Sequence, residues 1–125
     1  MPILSSIPVL RCHSILQTQD FYSQLLQFVI VNKREVEGHL QWVHLMHGDT
    51  ALMLEKTEPE SRVESQPVVA DKSSNISLYF FVDDIETLHH LIKLKHPSVS
   101  DIILTDYRMR EFQMCDPEGN RVVIG

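Results

Sequence analysis

The chain is short of the features that mark membrane, secreted and nucleic-acid-binding proteins. No run approaches the roughly 20 apolar residues that a membrane span needs. Its first ten residues (MPILSSIPVL) lack the basic start and long apolar core of a secretory signal. Only 11 of the 125 residues are lysine or arginine, against 17 acidic ones, and their scatter offers a phosphate backbone no continuous positive track. We therefore expect a cytoplasmic protein that binds neither membranes nor nucleic acid.

Cysteine is scarce as well. Cys12 and Cys115 lie far apart and match no metal-binding or redox spacing. A disulfide or a reactive nucleophile is one interpretation. Cytoplasmic thiols, however, are kept reduced, and cysteine often packs as a small apolar residue. We expect two reduced, semi-buried thiols.

The first half of the sequence predicts the order β, α, β, β, β. Apolar-rich or alternating segments favour strands over residues 7–12, 29–36, 39–46 and 51–56. Residues 17–28 place Phe21 and Leu25 on one face of a helix, with Ser14 or Thr18 as its candidate N-cap. These elements form a predicted module 1, over about residues 5–57.

The same order returns after a polar segment, residues 58–74, which contains two prolines and shows no period. We interpret that segment as a linker, with a lid as the alternative. Module 2 then covers about residues 75–125. Its predicted parts are a strand at 75–82, a helix bearing Ile85, Leu88, Leu91 and Ile92, a strand at 102–107 and a hairpin around residues 116–120.

A shift of 70 residues aligns the two modules. Ser14 then falls on Asp84, Ile15 on Ile85 and so on through the helix, with polar and apolar classes in agreement. Such self-similarity predicts a duplicated βαβββ unit, whereas two unrelated α+β halves are the alternative.

Three segments carry a family resemblance. Residues 8–28 (PVLRCHSILQTQDFYSQLLQF), 81–92 (FVDDIETLHHLI) and 108–125 (RMREFQMCDPEGNRVVIG) resemble the bleomycin-resistance branch of the vicinal-oxygen-chelate proteins, the superfamily of glyoxalases and extradiol dioxygenases. The resemblance implies a single α+β domain. Its two βαβββ modules would form curved mixed sheets around a ligand cleft. It also implies a homodimer with clefts built from both chains.

Many members of that superfamily hold a divalent metal through His, Gln or Glu. The resemblance carries those ligand positions to Ile7, Met53, Ser77 and Val123. Isoleucine and valine cannot ligate, methionine is a poor ligand for hard ions, and one serine is weak alone. A slip of two residues would replace Met53 by Glu55, and one carboxylate would still not hold the ion. We expect neither a metal nor another cofactor.

Histidines elsewhere offer no better site. His39 and His44 differ by an odd number on one strand and therefore point to opposite faces. His47 is predicted to lie in a turn, and the adjacent His89 and His90 diverge by about 100° on a helix. We expect these side chains to be solvated or structurally paired. No Ser-His-Asp or Cys-His pattern indicates covalent catalysis.

The resemblance implies that the metal positions face the cleft, and strand alternation then predicts which other side chains share that face. Together with Ile7 and Val9, we expect a ligand-binding set of Arg11, Trp42, His44, Met53, Ser77, Tyr79, Phe81 and Val123. Trp42 and Tyr79 could stack on a flat or cationic ligand. The alternative is that the aromatic residues fill the core or a dimer interface. The turn residues Asp116, Pro117, Gly119 and Asn120 have a structural role in this interpretation.

These observations favour a metal-free protein that binds a small aromatic or cationic molecule at a dimer interface without reacting with it. One alternative is an enzyme of the same superfamily, a lyase, isomerase or dioxygenase that uses a metal or a base such as Glu55 or Glu111. The other is a structural or partner-binding module whose cleft is closed by side chains.

Overall fold

The order β-α-β-β-β occurs twice along the chain, as the sequence repeat predicts. A computed structural model describes residues 1–57 and 75–125, so the predicted linker, residues 58–74, lies outside the described residues. The chain divides into two compact units, residues 1–70 and 71–125, and the described part of each unit is one module.

Module 1 is a four-stranded mixed sheet with one helix. Its elements are β1 (Val9–Cys12), α1 (Ile15–Leu26), β2 (Val29–Val36), β3 (His39–His47) and β4 (Thr50–Lys56). The strand order is β1-β4-β3-β2, in which β1 runs parallel to β4 and the other pairs are antiparallel. A parallel pair needs a long crossover, and α1 is part of that crossover.

Local sequence explains why α1 forms where it does. The Ser14 hydroxyl oxygen accepts a hydrogen bond from the Gln17 backbone N–H at 3.2 Å, which identifies Ser14, rather than Thr18, as the N-cap. Phe21, Tyr22 and Leu25 form its buried stripe. The helix ends at Gln27, whose left-handed backbone (φ 59°) allows its N–H to bond the Tyr22 carbonyl.

Module 2 repeats this plan. Its elements are β5 (Ser77–Phe80), α2 (Ile85–Lys95), β6 (Ile103–Leu104), β7 (Arg110–Cys115) and β8 (Arg121–Ile124), in the order β5-β8-β7-β6. Here β5 runs parallel to β8. Asp84 caps α2 by accepting from the Thr87 N–H at 3.1 Å. The 70-residue shift is thereby confirmed for the helices, since both caps and both first helical residues obey it.

The hairpin between β7 and β8 depends on one buried carboxylate. Asp116 Oδ1 accepts from the backbone N–H groups of Glu118 and Asn120, and Oδ2 accepts from Asn120 Nδ2, all at 2.9 Å. Gly119 supplies the positive φ of 86° that the turn requires. The structural role predicted for these turn residues is confirmed.

Three predictions about local structure were wrong. The first strand begins at Val9, so Ile7 precedes it. His47 is the last residue of β3 instead of a turn residue, and its Nδ1 lies 2.9 Å from the Leu26 carbonyl. The strand predicted at 102–107 comprises only Ile103–Leu104, because the chain then turns through Arg108 at φ 64°.

The thiol of Cys12 is buried, whereas that of Cys115 is exposed.

No helix in the two described stretches is both long and apolar enough to cross a membrane.

Candidate functional site

Each sheet has one face packed on its own helix. In module 1 several residues of β1, β3 and β4 on that face are buried, among them Leu10, Val43 and Leu54. In module 2 the His89 ring of α2 meets Phe112 of β7 edge to face, with centroids 4.8 Å apart. Because strand side chains alternate, the other residues of each strand lie on a helix-free face. The side chains with functional chemistry lie there.

The helix-free face of module 1 is set by strand register. Val9 and His44 both pair with Met53, and Arg11 and Trp42 both pair with Glu55. The face therefore carries Val9, Arg11, Trp42, His44, Met53 and Glu55. Arg11 Nε lies 3.9 Å from Glu55 Oε1, and both side chains are well exposed, so this ion pair is weak.

His44 holds an unusual position on that face. Its ring lies 6.1 Å from the Trp42 ring, tilted by 48°. Its Nε2 atom is buried and has no hydrogen-bond partner among the described residues. Buried polar atoms are nearly always paired, so this nitrogen is a candidate for contact with a bound molecule or a water.

On module 2 the helix-free face carries Ser77, Tyr79, Glu111, Gln113, Arg121 and Val123. Tyr79 and Gln113 both pair with Val123, whereas Ser77 pairs with Arg121. Glu111 follows by strand alternation, two residues before Gln113 on β7.

Two phenols converge on Glu111. The hydroxyls of Tyr79 and Tyr107 both donate to Glu111 Oε2, each at 2.6 Å. These hydrogen bonds hold the pKa of Glu111 below its ordinary value, and the bond from Tyr107 has a larger effect than the bond from Tyr79. The positive charge of Arg121 acts in the same direction. The same contact with Glu111 raises the pKa of Tyr79 to about 12 and also raises that of Tyr107. Glu111 is therefore a stabilised anion at neutral pH.

The Tyr79 ring is held by close neighbours. It lies 4.8 Å from the Phe81 ring, and a Cβ at Gly125 would overlap its hydroxyl oxygen. Gly125 is itself fixed by backbone bonds from its N–H to the Phe80 carbonyl and from the Val82 N–H to its own carbonyl. The absent side chain at Gly125 thus gives Tyr79 room to reach Glu111.

The structure assigns all the predicted ligand residues except Phe81 to the helix-free face of a module. Arg11, Trp42, His44 and Met53 share the helix-free face of module 1, and Ser77, Tyr79 and Val123 share that of module 2. Val123 is only 3% exposed, while Phe81 follows the end of β5 and is 78% exposed. Sequence reasoning named Glu111 only as a possible base and missed Tyr107. Gln113 pairs with Val123, and Glu111 lies two residues before Gln113 on the same strand. Because side chains two residues apart share a face, alternation along this strand could have identified Glu111.

The four positions that correspond to metal ligands in the superfamily do not fit a divalent ion. Ile7, Met53, Ser77 and Val123 offer one hydroxyl and one thioether between them. Within residues 1–57 and 75–125, no three His, Cys, Asp or Glu side chains gather as such a site requires.

Two cavities lie away from the predicted residues. One of about 660 Å³ in module 1 is lined by residues 13–16, 38–41, 56 and 57, at the start of α1. The other, about 460 Å³ in module 2, is lined by His96, Ser98, Ser100, Gln113, Met114 and Cys115. None of the eight predicted ligand residues lines either cavity. The predicted residues that belong to strands lie instead on the helix-free face of their own module.

By sequence, the chain matches no protein-family model and none of the curated proteins. Its structure is nevertheless similar to several solved structures. One is a bleomycin-binding protein from bleomycin-producing Streptomyces verticillus in complex with copper(II)-bleomycin, at 22% identity, with 99% of this chain and 96% of that chain covered and a TM-score of 0.70.

Two other solved structures give the same picture. A bleomycin resistance determinant encoded on the transposon Tn5 is 20% identical, over 96% of this chain and 94% of that one, with a TM-score of 0.71. A lactoylglutathione lyase from Agrobacterium tumefaciens is 18% identical, over 100% of this chain and 95% of that one, with a TM-score of 0.72. The repeated βαβββ modules and these likenesses together show that the chain has the glyoxalase/bleomycin-resistance fold.

Proposed function

We propose that this chain is a cytoplasmic, metal-free binding protein that holds a small aromatic or cationic molecule without reacting with it. The ligand would lie against the helix-free faces, in a cleft at a homodimer interface. The proposed contacts are Arg11, Trp42, His44 and Met53 from module 1 and Ser77, Tyr79, Phe81 and Val123 from module 2.

The state of Glu111 carries this proposal. A general base works best when its pKa lies near the working pH, which requires a carboxylate to be raised well above its ordinary value. The two phenols shift the pKa of Glu111 in the opposite direction. The carboxylate is therefore a weak base but a strong electrostatic partner. Glu55, the other candidate base, lies 3.9 Å from Arg11 Nε in an ion pair whose side chains are both well exposed.

The faces also have the composition of a binding site. Trp42 and Tyr79 present flat rings, and His44 adds a buried nitrogen in need of a partner. Antibiotic-binding proteins share this fold, as a bleomycin-binding protein does, but so does a lactoylglutathione lyase. A shared fold does not decide between binding and catalysis, so the proposal depends on the side chains.

The single tryptophan makes the proposal directly testable. Flat aromatic compounds, neutral and cationic, would be screened by thermal shift, and those that stabilise the protein titrated against Trp42 fluorescence. We expect saturable stabilisation and a change in Trp42 emission, with the compound recovered unchanged by mass spectrometry. Conversion of the compound, or a stoichiometric divalent metal needed for its binding, would contradict the proposal. A flat response to every compound would favour a structural module instead.

Light scattering on the eluting protein tests the proposed homodimer. The expected mass is twice the chain mass of 14.5 kDa, and a mass near 14.5 kDa at all concentrations would refute the assembly.

A further inference from the structure

We propose that Glu111 Oε1 receives a protonated amine of the ligand, so that the protein prefers a ring-bearing primary or secondary ammonium over a guanidinium-like or a neutral group. The inference rests on the proposed binding function and specifies the chemistry of its ligand.

Glu111 is a buried charge that forms no ion pair within residues 1–57 and 75–125. Its residue is only 7% exposed, and acidic residues are seldom so buried unless they are paired. Both hydrogen bonds that the described residues donate to the carboxylate end on Oε2. None of those residues donates to Oε1 or forms a salt bridge with Glu111, although Arg121 contributes a favourable field. One oxygen is thus committed and the other is open.

Because Oε2 is occupied by donors among the described residues and Oε1 is not, the carboxylate suits some cations better than others. A guanidinium or amidinium binds a carboxylate best through two parallel N–H···O bonds, one to each oxygen. Oε2 already accepts from Tyr79 and Tyr107, which use both of its lone-pair sites. An ammonium is a compact charge that needs only one oxygen, so it suits Oε1 alone.

Aromatic surface surrounds the same carboxylate. The Tyr79 and Phe81 rings lie 4.8 Å apart, and Tyr107 is 64% exposed in the turn before β7. Ring faces attract organic cations and also stack on flat ligands. A ligand with a ring close to its amine would therefore use both the carboxylate and the rings.

Three probes with the same ring test the preference: naphthylmethylamine, naphthamidine and naphthylmethanol. Calorimetry at neutral pH would give the dissociation constant of each for the wild type, for Glu111→Gln and for Asp106→Asn. Asp106 is exposed and adjacent to Tyr107, so its variant removes the same charge without touching Glu111.

We expect the amine to bind most tightly to the wild type. Glu111→Gln should weaken the amine about tenfold to a hundredfold and leave naphthylmethanol unchanged. Asp106→Asn should change neither by more than about twofold.

A second variant tests the geometry even if Glu111→Gln folds poorly. Tyr107→Phe removes one of the two phenol donors from Oε2, and because Tyr107 is exposed the fold should tolerate it. With a lone-pair site released, the amidine can use both oxygens, so its affinity should rise relative to that of the amine. An unchanged ratio would refute the single-oxygen argument.

The outcomes separate the two proposals. If each of the three probes binds to Glu111→Gln with the same affinity as to the wild type, the ammonium preference is overturned while the binding function stands. If none of the three binds or stabilises the wild type, both proposals lose their support.

Discussion

Replacing Gly125 with alanine tests whether the Tyr79 phenol reaches Glu111 only because Gly125, the residue after β8, has no side chain. A Cβ at this position would overlap the Tyr79 hydroxyl oxygen and lie 2.7 Å from its Cζ atom, closer than real contacts allow. The atoms that this Cβ would meet are at the far end of the Tyr79 side chain, so the ring can move aside at little cost to the fold. What is lost is the 2.6 Å hydrogen bond to Glu111.

The expected magnitude follows from the causes of the Tyr79 shift. The hydrogen bond to Glu111 is the largest of them, and it raises the Tyr79 pKa from 10.0 to about 12. In Gly125→Ala we expect the pKa to fall back toward 10.0. A raised pKa means that the folded state favours the protonated phenol. Its contribution to stability is therefore complete below pH 10.0 and is lost as the pH rises toward about 12.

Alkaline titration of tyrosinate absorbance measures this shift, and Tyr79→Phe identifies the Tyr79 step. Gly48→Ala serves as the control. A Cβ at Gly48 meets nothing within 4 Å, and although the φ of 58° strains an alanine there, the residue lies in the other module. Its Tyr79 step should stay near 12. If Gly125→Ala also retained that step, the account of Gly125 as the residue that makes room for Tyr79 would be refuted.

Three further predictions concern stability. Leu54→Ala, at a position with no exposure, should lower the free energy of unfolding in urea by about 2–5 kcal/mol, and a loss under about 1 kcal/mol would contradict its place in the core. Asp116→Ala should cost about 2–3 kcal/mol in the same assay, because it leaves the Asn120 and Glu118 N–H groups unpaired; Asp116→Asn, which keeps one acceptor, should cost less. The depressed pKa of Glu111 contributes stability above its ordinary value of 4.5 that is lost as the pH falls through the folded-state value. Acid unfolding followed by circular dichroism should show a smaller pH dependence for Glu111→Gln, and an identical profile would argue against an ionised Glu111.

Much of the fold could be predicted because it depends on short-range signals. Apolar residues at helical spacing predicted both helices. Of the two candidate caps for α1, the structure selects Ser14, so that this helix begins at Ile15 instead of at the predicted residue 17. The bounds of β2, Val29–Val36, follow from the turn at Glu37 and the end of the preceding helix. Repetition of the pattern after 70 residues then predicts a second module with the same strand order.

The errors arose where a local pattern continues although the chain turns away. Residues 102–107 alternate like a strand, but the structure turns at Arg108 and places Tyr107 beside Glu111. His47 looked like part of a loop, yet its contacts with the Leu26 carbonyl and the Phe28 ring extend β3 by one residue. The Leu26 carbonyl lies 21 residues before His47, which is beyond a short window of sequence.

The candidate site shows the same division. Alternation was enough to group Trp42 with His44, since side chains two residues apart share a face. Tyr79 was grouped with Val123 only through the metal-ligand positions that the family resemblance implies. Alternation could not reveal that Tyr79 donates to Glu111, a residue 32 positions away, or that His44 Nε2 is buried without a described partner. Those facts depend on register and on side-chain rotamers.

By itself, the sequence determined the order of the elements and the apolar face of each helix, because hydrophobic period acts over a few residues. Only the tertiary structure decided that two phenols from different elements end on one oxygen of Glu111 while the other stays open. Such a contact exists only once strands distant in the chain have paired in a particular register, and no local preference encodes it.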